Sequence, residues 1–291
     1  ALMGFQFEKD KVYEMPVFFG PMPGNKNLDA DGRYTLMKPA DVEALTVQFE
    51  TNPAQLEKLL PDGFTLRAPI FSAAECEFAN IGYFGGHTYT LLNLSIPVHY
   101  HGAEESLDGD LILVMFENAA DPIVGGRDLL GYSKIYADMP RYIKNGKTIR
   151  ASASSWGFRF MDMKLNLEQA APAADEMKQL AASSQGKFNY KYIQTTPYKE
   201  MGYGSGGADV CYPTFNPKAW EKPVDYPFAL RQPETSFCGG EIQFYEPADD
   251  EMPNYAHIAR FLANLEIKRY LGAQHSLYND PCDYSHLYRL K

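Results

Sequence analysis

The chain has 291 residues and a formal net charge of −10, with 45% hydrophobic, 14% aromatic and 22% charged residues. This length and composition are typical of a folded protein with a sizeable core, and the acidic balance makes nucleic acids and anionic membrane surfaces poor partners. No apolar run approaches the roughly 18 residues that a membrane helix needs, so we expect no membrane contact. None of the four cysteines lies in a CxxC pair, so we expect free thiols and a cytoplasmic location.

The chain begins with an irregular arm and continues with a strand and a helix. Residues 1–40 are rich in glycine and proline, which favours irregular structure. Apolar residues alternate over Ala44–Glu50 and predict a strand. Asn52 can cap a helix that begins at Pro53 and ends at Leu60, where the sequence Pro-Asp-Gly stops it.

Strand signals dominate the rest of the chain. Predicted helices are few: Gly126–Ile135, Ala171–Leu180 and Tyr255–Asn264. No clear linker divides the chain, so we predict one α+β domain over residues 1–291, built on a large, mostly antiparallel sheet that curls or closes around a ligand cavity. The predicted strands are Ala73–Tyr83, Tyr89–His99, Asp110–Glu117, Thr148–Trp156, Phe160–Asn166, Lys187–Gln194, Cys238–Glu246 and Ile267–Leu277.

The most informative candidate for chemistry is Lys134. A hydrophobic strand leads into a glycine-rich turn, then Arg127, then a predicted short helix that carries Lys134 among mostly uncharged neighbours. A lysine in apolar surroundings is costly to keep protonated, so burial favours the neutral amine. A neutral amine can attack a keto group and form an iminium, which accepts electrons when a neighbouring C–COO⁻ bond breaks or an α-proton leaves.

The run Gly126-Arg127-Asp128-Leu129-Leu130-Gly131-Tyr132-Ser133-Lys134 is similar to the signature of the acetoacetate decarboxylase family. That signature reads Gly-Arg-acidic, three variable residues, an aromatic residue, Pro, and the lysine that forms the Schiff base. The resemblance, which extends more weakly over about residues 40–290, implies that Lys134 is this lysine and that Tyr132 takes the aromatic position beside the substrate. It also implies a cone-like, partly closed β-barrel with a few flanking helices, a small keto-acid substrate, no cofactor and assembly into homo-oligomers.

Two of the departures from the family pattern bear directly on the chemistry of the site. Family decarboxylases carry a second lysine directly after the nucleophile, where this chain has Ile135, so desolvation alone must keep the amine neutral. They also carry a glutamate shortly after a Tyr-Thr pair, and the matching position here is Leu91, which we expect to contact the substrate. The predicted site is therefore more apolar than that of those decarboxylases.

Four further residues are candidates for the site, and no metal ligands are predicted. Glu75 and Glu77 share one face of a predicted strand: if that face lines the cavity, one of them is a candidate catalytic proton shuttle, and if it faces water, both are solubilising. Arg127 can bind a substrate carboxylate or pin its own loop by donating to carbonyl groups. Tyr278, in the last apolar strand, can orient a substrate or pack in the core.

Three functions fit these residues. The first is a lyase that decarboxylates an acetoacetate-like β-keto acid through a Schiff base on Lys134. The second is a Schiff-base aldolase-dehydratase that joins pyruvate to an aldehyde, with Glu75, Glu77 or Tyr278 moving the proton. The third is a non-catalytic barrel that binds a small apolar ligand and requires no functional lysine.

Overall fold

The structure is a computed structural model that describes residues 4–24, 27–202, 204, 206–218, 222–223 and 225–291. Its strands are β1 (Ala40–Glu50), β2 (Phe64–Leu66), β3 (Ile70–Ala79), β4 (Tyr89–His101), β5 (Ser106–Glu117), β6 (Lys134–Tyr136), β7 (Ile143–Asn145), β8 (Thr148–Ser155), β9 (Phe158–Asn166), β10 (Gly186–Gln194), β11 (Ala208–Pro217), β12 (Glu234–Phe244), β13 (Arg269–Asp280) and β14 (Tyr288–Arg289). Its α-helices are α1 (Pro53–Glu57), α2 (Ala120–Gly125), α3 (Ala174–Ser183) and α4 (Ala256–Ala263). Single turns of 3₁₀-helix occupy Val17–Phe19 and Gly82–Phe84, and a π-helical turn occupies Gly126–Leu130.

One large mixed sheet contains these strands. Its order is β14-β11-β10-β5-β4-β3-β1-β13-β12-β9-β8-β7, with β2 paired to β4 and β6 paired to β5. The β10–β5 and β5–β6 pairs are parallel, whereas the other ladders are antiparallel. The predicted class, a large and mostly antiparallel sheet with few helices, is confirmed.

The predicted closure into a barrel is not made by strand pairing. Within the described ranges, no ladder joins β14 to β7, the two ends of the order. A single bridge between Asp138 and Ser154 connects the chain after β6 to β8, with N···O distances of 2.7 and 2.9 Å. Because β6 has only 3 residues, it is too short to carry a full ladder across this gap. The sheet is therefore curled but open in its hydrogen bonding.

Side chains alternate between the two faces of the central strands, as the pleat of a β-sheet requires. On β1, Leu45 is fully buried in the main hydrophobic core, whereas its neighbours Thr46 and Gln48 face a cavity on the other side of the sheet. The core face packs against β8, β9, β12 and α4. There the rings of Phe116 and Phe160 lie 4.6 Å apart between centroids.

The predicted strands and helices are found with shifted ends, apart from the helix predicted to carry Lys134. Asn52 caps α1 as expected, because its side-chain oxygen accepts a hydrogen bond from the amide of Ala54 at 3.1 Å. Strands β2, β6, β7, β11 and β14 were not predicted. No helix in the described part of the chain is both long and apolar enough to cross a membrane.

The prediction of a helix over Gly126–Ile135 is wrong. α2 ends at Gly125, a π-helical turn follows, and Gly131 then takes a φ of +76°, a left-handed conformation that glycine adopts without a steric penalty. The chain extends as β6 (Lys134–Tyr136) and pairs in parallel with Met115–Glu117 of β5. The sequence around Lys134 predicted a helix because it does not reveal the pairing of β6 with β5. The partner strand precedes the turn in the chain.

We expect Phe160→Ala to lower the free energy of unfolding by about 3–5 kcal/mol, because it leaves a cavity in the main core. Phe160 is fully buried there. Urea unfolding followed by circular dichroism would measure the change, with Phe19→Ala as the matched control. Phe19 is 91% exposed, so its truncation should change the free energy by less than about 0.5 kcal/mol. Equal effects of the two substitutions would contradict this description of the core.

Candidate active site

A cavity of about 310 Å³ lies on the face of the central sheet opposite the main core. Strands β1, β3, β4 and β13 form its floor, and β10, β11 and α3 contribute its other walls. Of the residues selected from the sequence, Lys134, Leu91, Tyr132 and Tyr278 line it together. The amino group of Lys134 therefore shares a cavity with three of its predicted partners.

The side chain of Lys134 is buried, with 6% of its surface exposed. Its Nζ lies 2.8 Å from Oε1 of Glu117, which makes an ion pair, and donates a hydrogen bond to the carbonyl of Pro122 at 3.1 Å. The ring of Tyr132 has its centroid 5.4 Å from the same Nζ. The amine is thus shielded from bulk water and held beside a carboxylate.

Glu117 was not predicted as a site residue. It is fully buried at the end of β5, and burial raises the pKa of its carboxyl, with the charge of Lys134 opposing that effect. The sequence does contain a signal for Glu117, because it is an acidic residue at the end of the apolar run Leu-Ile-Leu-Val-Met-Phe. It follows Met115 by two positions and therefore lies on the same face of the strand. A charge in such a position is buried only when it has a partner.

Leu91, the position where the resemblance implied a glutamate, stands directly opposite Glu117 in the β4–β5 ladder. Cross-strand neighbours have Cβ atoms about 4.5–5.5 Å apart and project from the same face. The prediction of an apolar pocket therefore needs correction, because the neighbouring strand supplies a carboxylate at the place where β4 lacks one. Ile135, in the position of the family's second lysine, packs in the main core.

Arg127 lies outside the cavity and is exposed, with its guanidinium donating from Nη1 to the carbonyl oxygen of Lys134 at 2.8 Å. Of the two roles left open by the sequence, this contact matches the pinning of the loop, and a contact between Arg127 and substrate stays a prediction. Gly126 packs against the lysine from the other side: a Cβ there would lie 2.6 Å from Cδ and Cε of Lys134 and 2.8 Å from Nζ. The π-helical turn thus fixes the lysine at its backbone and along its stem.

Glu75 and Glu77 face away from the cavity, which corrects the expectation that their side of β3 lines it. Residues Ala74, Cys76 and Phe78 of β3 contact the cavity, so alternation directs the two glutamates to the opposite face. Glu77 forms an ion pair with Arg141, with Oε1 2.8 Å from Nη2. Burial raises the pKa of Glu75 well above its usual value, and the negative charge of Glu77 adds to that effect.

Two tyrosines, Tyr132 and Tyr278, line the cavity together with Lys134. Asn216 donates a hydrogen bond from Nδ2 to the hydroxyl oxygen of Tyr132 at 3.0 Å, which fixes the ring. Burial raises the pKa values of Tyr132 and Tyr278, so both hydroxyls are protonated at neutral pH and available as hydrogen-bond donors.

Lys187 is a second cation that lines the cavity, and sequence analysis did not select it. It pairs with Asp110 in the parallel β10–β5 register, and its side chain is exposed at the cavity edge. Burial raises the pKa values of Cys76 and Asp280, and the positive charge of Lys187 opposes both effects. Its field therefore reaches into the cavity. No cluster of three or more His, Cys, Asp or Glu side chains that could hold a metal ion occurs in the described ranges.

Comparison with known proteins gives a consistent match. The family model for acetoacetate decarboxylase (ADC) matches residues 14–284. Acetoacetate decarboxylase of Burkholderia ambifaria is 27% identical over 139 residues, which are 45% of this chain and 53% of that protein. The enzyme of Burkholderia vietnamiensis is 25% identical over 150 residues, 48% of this chain and 55% of that protein. The chain thus spans about half the length of the curated relatives it matches.

Solved structures share the fold at low identity. Acetoacetate decarboxylase of Legionella pneumophila superposes with a TM-score of 0.60 and 16% identity, over 89% of this chain and 91% of that chain. An acetoacetate decarboxylase-like enzyme from Sphingomonas wittichii RW1 superposes with a TM-score of 0.61 and 17% identity, over 87% of this chain and 92% of that chain. The enduracididine biosynthesis enzyme MppR, complexed with pyruvate, superposes with a TM-score of 0.55 and 14% identity, over 89% of this chain and 94% of that chain.

We expect Gly126→Ala to displace the amine of Lys134 while leaving the fold intact. The added methyl group meets only the flexible end of a lysine side chain, and the backbone at Gly126 has an ordinary right-handed conformation with φ −67°. Reaction of Lys134 with an amine-directed reagent, mapped by peptide mass spectrometry, should change markedly while the far-ultraviolet circular dichroism spectrum does not. Gly4→Ala is the control, because nothing lies within 4 Å of its Cβ position. Unchanged labelling of Lys134 in the Gly126 variant would contradict the packing described here.

Proposed function

The chain belongs to the acetoacetate decarboxylase family, and from that premise we propose that it is a lyase that forms a Schiff base between Lys134 and a keto acid. One observation carries the proposal: the Lys134 amine is buried in a ligand-sized cavity, 2.8 Å from a carboxylate. A surface lysine has neither a dry environment nor a fixed proton acceptor, and Schiff-base chemistry requires that the amine lose its proton.

Glu117 is proposed as the acceptor of that proton. Transfer of a proton from the ammonium of Lys134 to the carboxylate of Glu117 converts two buried charges into two neutral groups, which a dry site favours. The free amine then attacks the keto carbon and forms a carbinolamine. Protonated Glu117 returns its proton to the carbinolamine hydroxyl, which leaves as water, and the restored carboxylate stabilises the iminium.

Lys187 is proposed to attract the carboxylate of the keto acid. The chain has a net charge of −10, so a local cation is needed to draw an anion into the cavity. The field of Lys187 reaches Cys76 and Asp280 on the cavity floor, and the hydroxyls of Tyr132 and Tyr278 are positioned to orient the bound acid.

The iminium supports two outcomes. With a β-keto acid, the C–COO⁻ bond breaks, its electron pair moves to the iminium nitrogen, carbon dioxide leaves, and the resulting enamine is protonated on carbon before water releases the product. With pyruvate, loss of a methyl proton gives an enamine that attacks an aldehyde. Family membership favours decarboxylation of an acetoacetate-like acid, while the shared fold of MppR, whose structure contains pyruvate, supports the aldolase-dehydratase as the second candidate.

Borohydride trapping tests the Schiff base. Incubation with acetoacetate or pyruvate followed by reduction should add to the protein the mass of the keto acid, or of the decarboxylated ketone, less one oxygen atom, because imine formation loses water and reduction adds two hydrogens. The adduct should map to Lys134 and disappear in Lys134→Ala. Lys147→Ala is the matched control, because Lys147 is exposed in the turn between β7 and β8.

The products then distinguish the candidate functions. Release of carbon dioxide from acetoacetate supports the decarboxylase, and condensation of pyruvate with an aldehyde without carbon dioxide release supports the aldolase-dehydratase. Absence of an adduct with either acid would refute the proposal and favour the non-catalytic binding barrel.

A pH profile tests the role of Glu117. Because burial raises the pKa of Glu117, the carboxylate that accepts the proton forms only above its usual range. The rate of trapping should therefore rise with pH through a midpoint above the roughly 4.3 of a solvated glutamate. Glu117→Gln should lower the plateau rate by about 100-fold or more and remove that rise.

Glu75→Gln is the matched control for this experiment. Glu75 is also fully buried with a raised pKa, but it lies on the opposite face of the sheet. Its substitution should leave the profile unchanged. A Glu117→Gln profile that coincides with that of the unmodified protein would exclude Glu117 as the proton acceptor. Homo-oligomer formation and a cytoplasmic location stay predictions from the sequence.

A further inference from the structure

The floor of the cavity changes in chemistry along its strands. Cross-strand pairing sorts its side chains into rows, and the row of Tyr89, Phe78 and Tyr278 is aromatic. The next row contains Leu91 and Cys76, beside the amine of Lys134. Beyond it lie two rows whose side chains, apart from Ala74 in the first, are neutral and polar. These are here called the polar rows, and their polar members are Asn93, Thr46 and Gln274 in the first and Ser95, Ser72 and Gln48 in the second.

Two oxygen atoms in the polar rows are buried with no hydrogen-bond partner among the described residues, Oδ1 of Asn93 and Oε1 of Gln48. Asn93 is only 8% exposed and lines the cavity. Buried side-chain oxygens in folded proteins are nearly always paired. Both residues line the cavity that contains Lys134, so a molecule bound there meets their side chains.

The chemistry of the polar rows selects a neutral, hydroxylated partner. Three of these six side chains carry an amide and three carry a hydroxyl group. A charged group beside them would therefore have no counter-charge within the rows. A hydroxyl group donates and accepts at the same time, and it therefore matches amide and hydroxyl side chains alike. An alkyl chain would cover the amide and hydroxyl groups that line the cavity without pairing them.

The dimensions indicate a longer acid than acetoacetate. Strand residues rise about 3.3 Å each, so successive rows are about 7 Å apart. A four-carbon acid bonded to Lys134 ends before the first polar row, which lies about 7 Å from the row beside the amine, whereas a chain with two or three more carbons reaches it. A cavity of about 310 Å³ also lies within the size range of pockets that bind larger ligands.

We infer that the substrate is a keto acid whose chain continues beyond the keto group with hydroxyl-bearing carbons, and that Asn93 and Gln48 bind those hydroxyls. The inference rests on the proposed Schiff base at Lys134 and names the substrate class for that site. Asn93 then determines specificity by pairing with the chain of the substrate, away from the reacting carbon.

Two matched acids test this inference: 2-oxohexanoate and 5,6-dihydroxy-2-oxohexanoate. They share a carbon skeleton, and neither has the β-hydroxyl that a retro-aldol cleavage needs. The concentration that gives half-maximal borohydride trapping at Lys134 should be at least about tenfold lower for the dihydroxy acid. Asn93→Leu keeps the number and branching of the side-chain heavy atoms and should remove most of this difference by weakening the dihydroxy acid alone. Asn145→Leu, at an exposed position in β7, should retain it.

The outcomes separate the two proposals. Equal half-maximal concentrations for the two acids in the unmodified protein, with adducts on Lys134, would overturn the hydroxyl-binding inference and leave the Schiff base standing. A preference that survives in Asn93→Leu and in Gln48→Leu would overturn the assignment of these residues. Absence of adducts with both acids, with pyruvate and with acetoacetate would overturn the proposed function and this inference together. If Asn93→Leu does not fold, the comparison of the two acids in the unmodified protein remains decisive.

Discussion

The buried ion pair between Lys134 and Glu117 is the constraint around which the site is arranged. Removing two charges from water is costly, and their attraction repays that cost only when the geometry is fixed. Parallel pairing of β6 with β5 sets the two residues on neighbouring strands, Arg127 holds the carbonyl of Lys134, and Gly126 leaves room for its stem. Loss of any of these contacts would leave a charge buried without its partner, so the surroundings of the pair are as constrained as the pair itself.

The central sheet serves two purposes because side chains alternate along its strands. Leu45 and its equivalents on β3, β4 and β5 fill the main core, while Thr46 and its equivalents form the cavity floor. A shift of one residue in any strand register would exchange apolar and polar side chains between core and cavity. The same hydrogen-bonded ladders therefore determine both the stability of the core and the composition of the site.

The long strands were predictable because alternation of apolar residues is a local signal. The burial of Lys134 in a cavity agrees with its selection from a contiguous motif, while its chemical role stays a prediction. β6 was missed because three residues become a strand only through a partner earlier in the chain. The sequence also predicts that Glu75 and Glu77 share a face, but which face meets the cavity depends on the packing of β8, β9 and β12. Glu117 escaped notice for a related reason, since its closeness to Lys134 depends on the β5–β6 register.

The pairing of Leu91 with Glu117 has a consequence for sequence comparison. Two facing positions on adjacent strands project their side chains to nearly the same point. A carboxylate at either position would therefore lie at a similar distance from the amine of Lys134. A comparison made column by column would score Leu91 as the loss of an acidic group, although Glu117 supplies one at the same point in space.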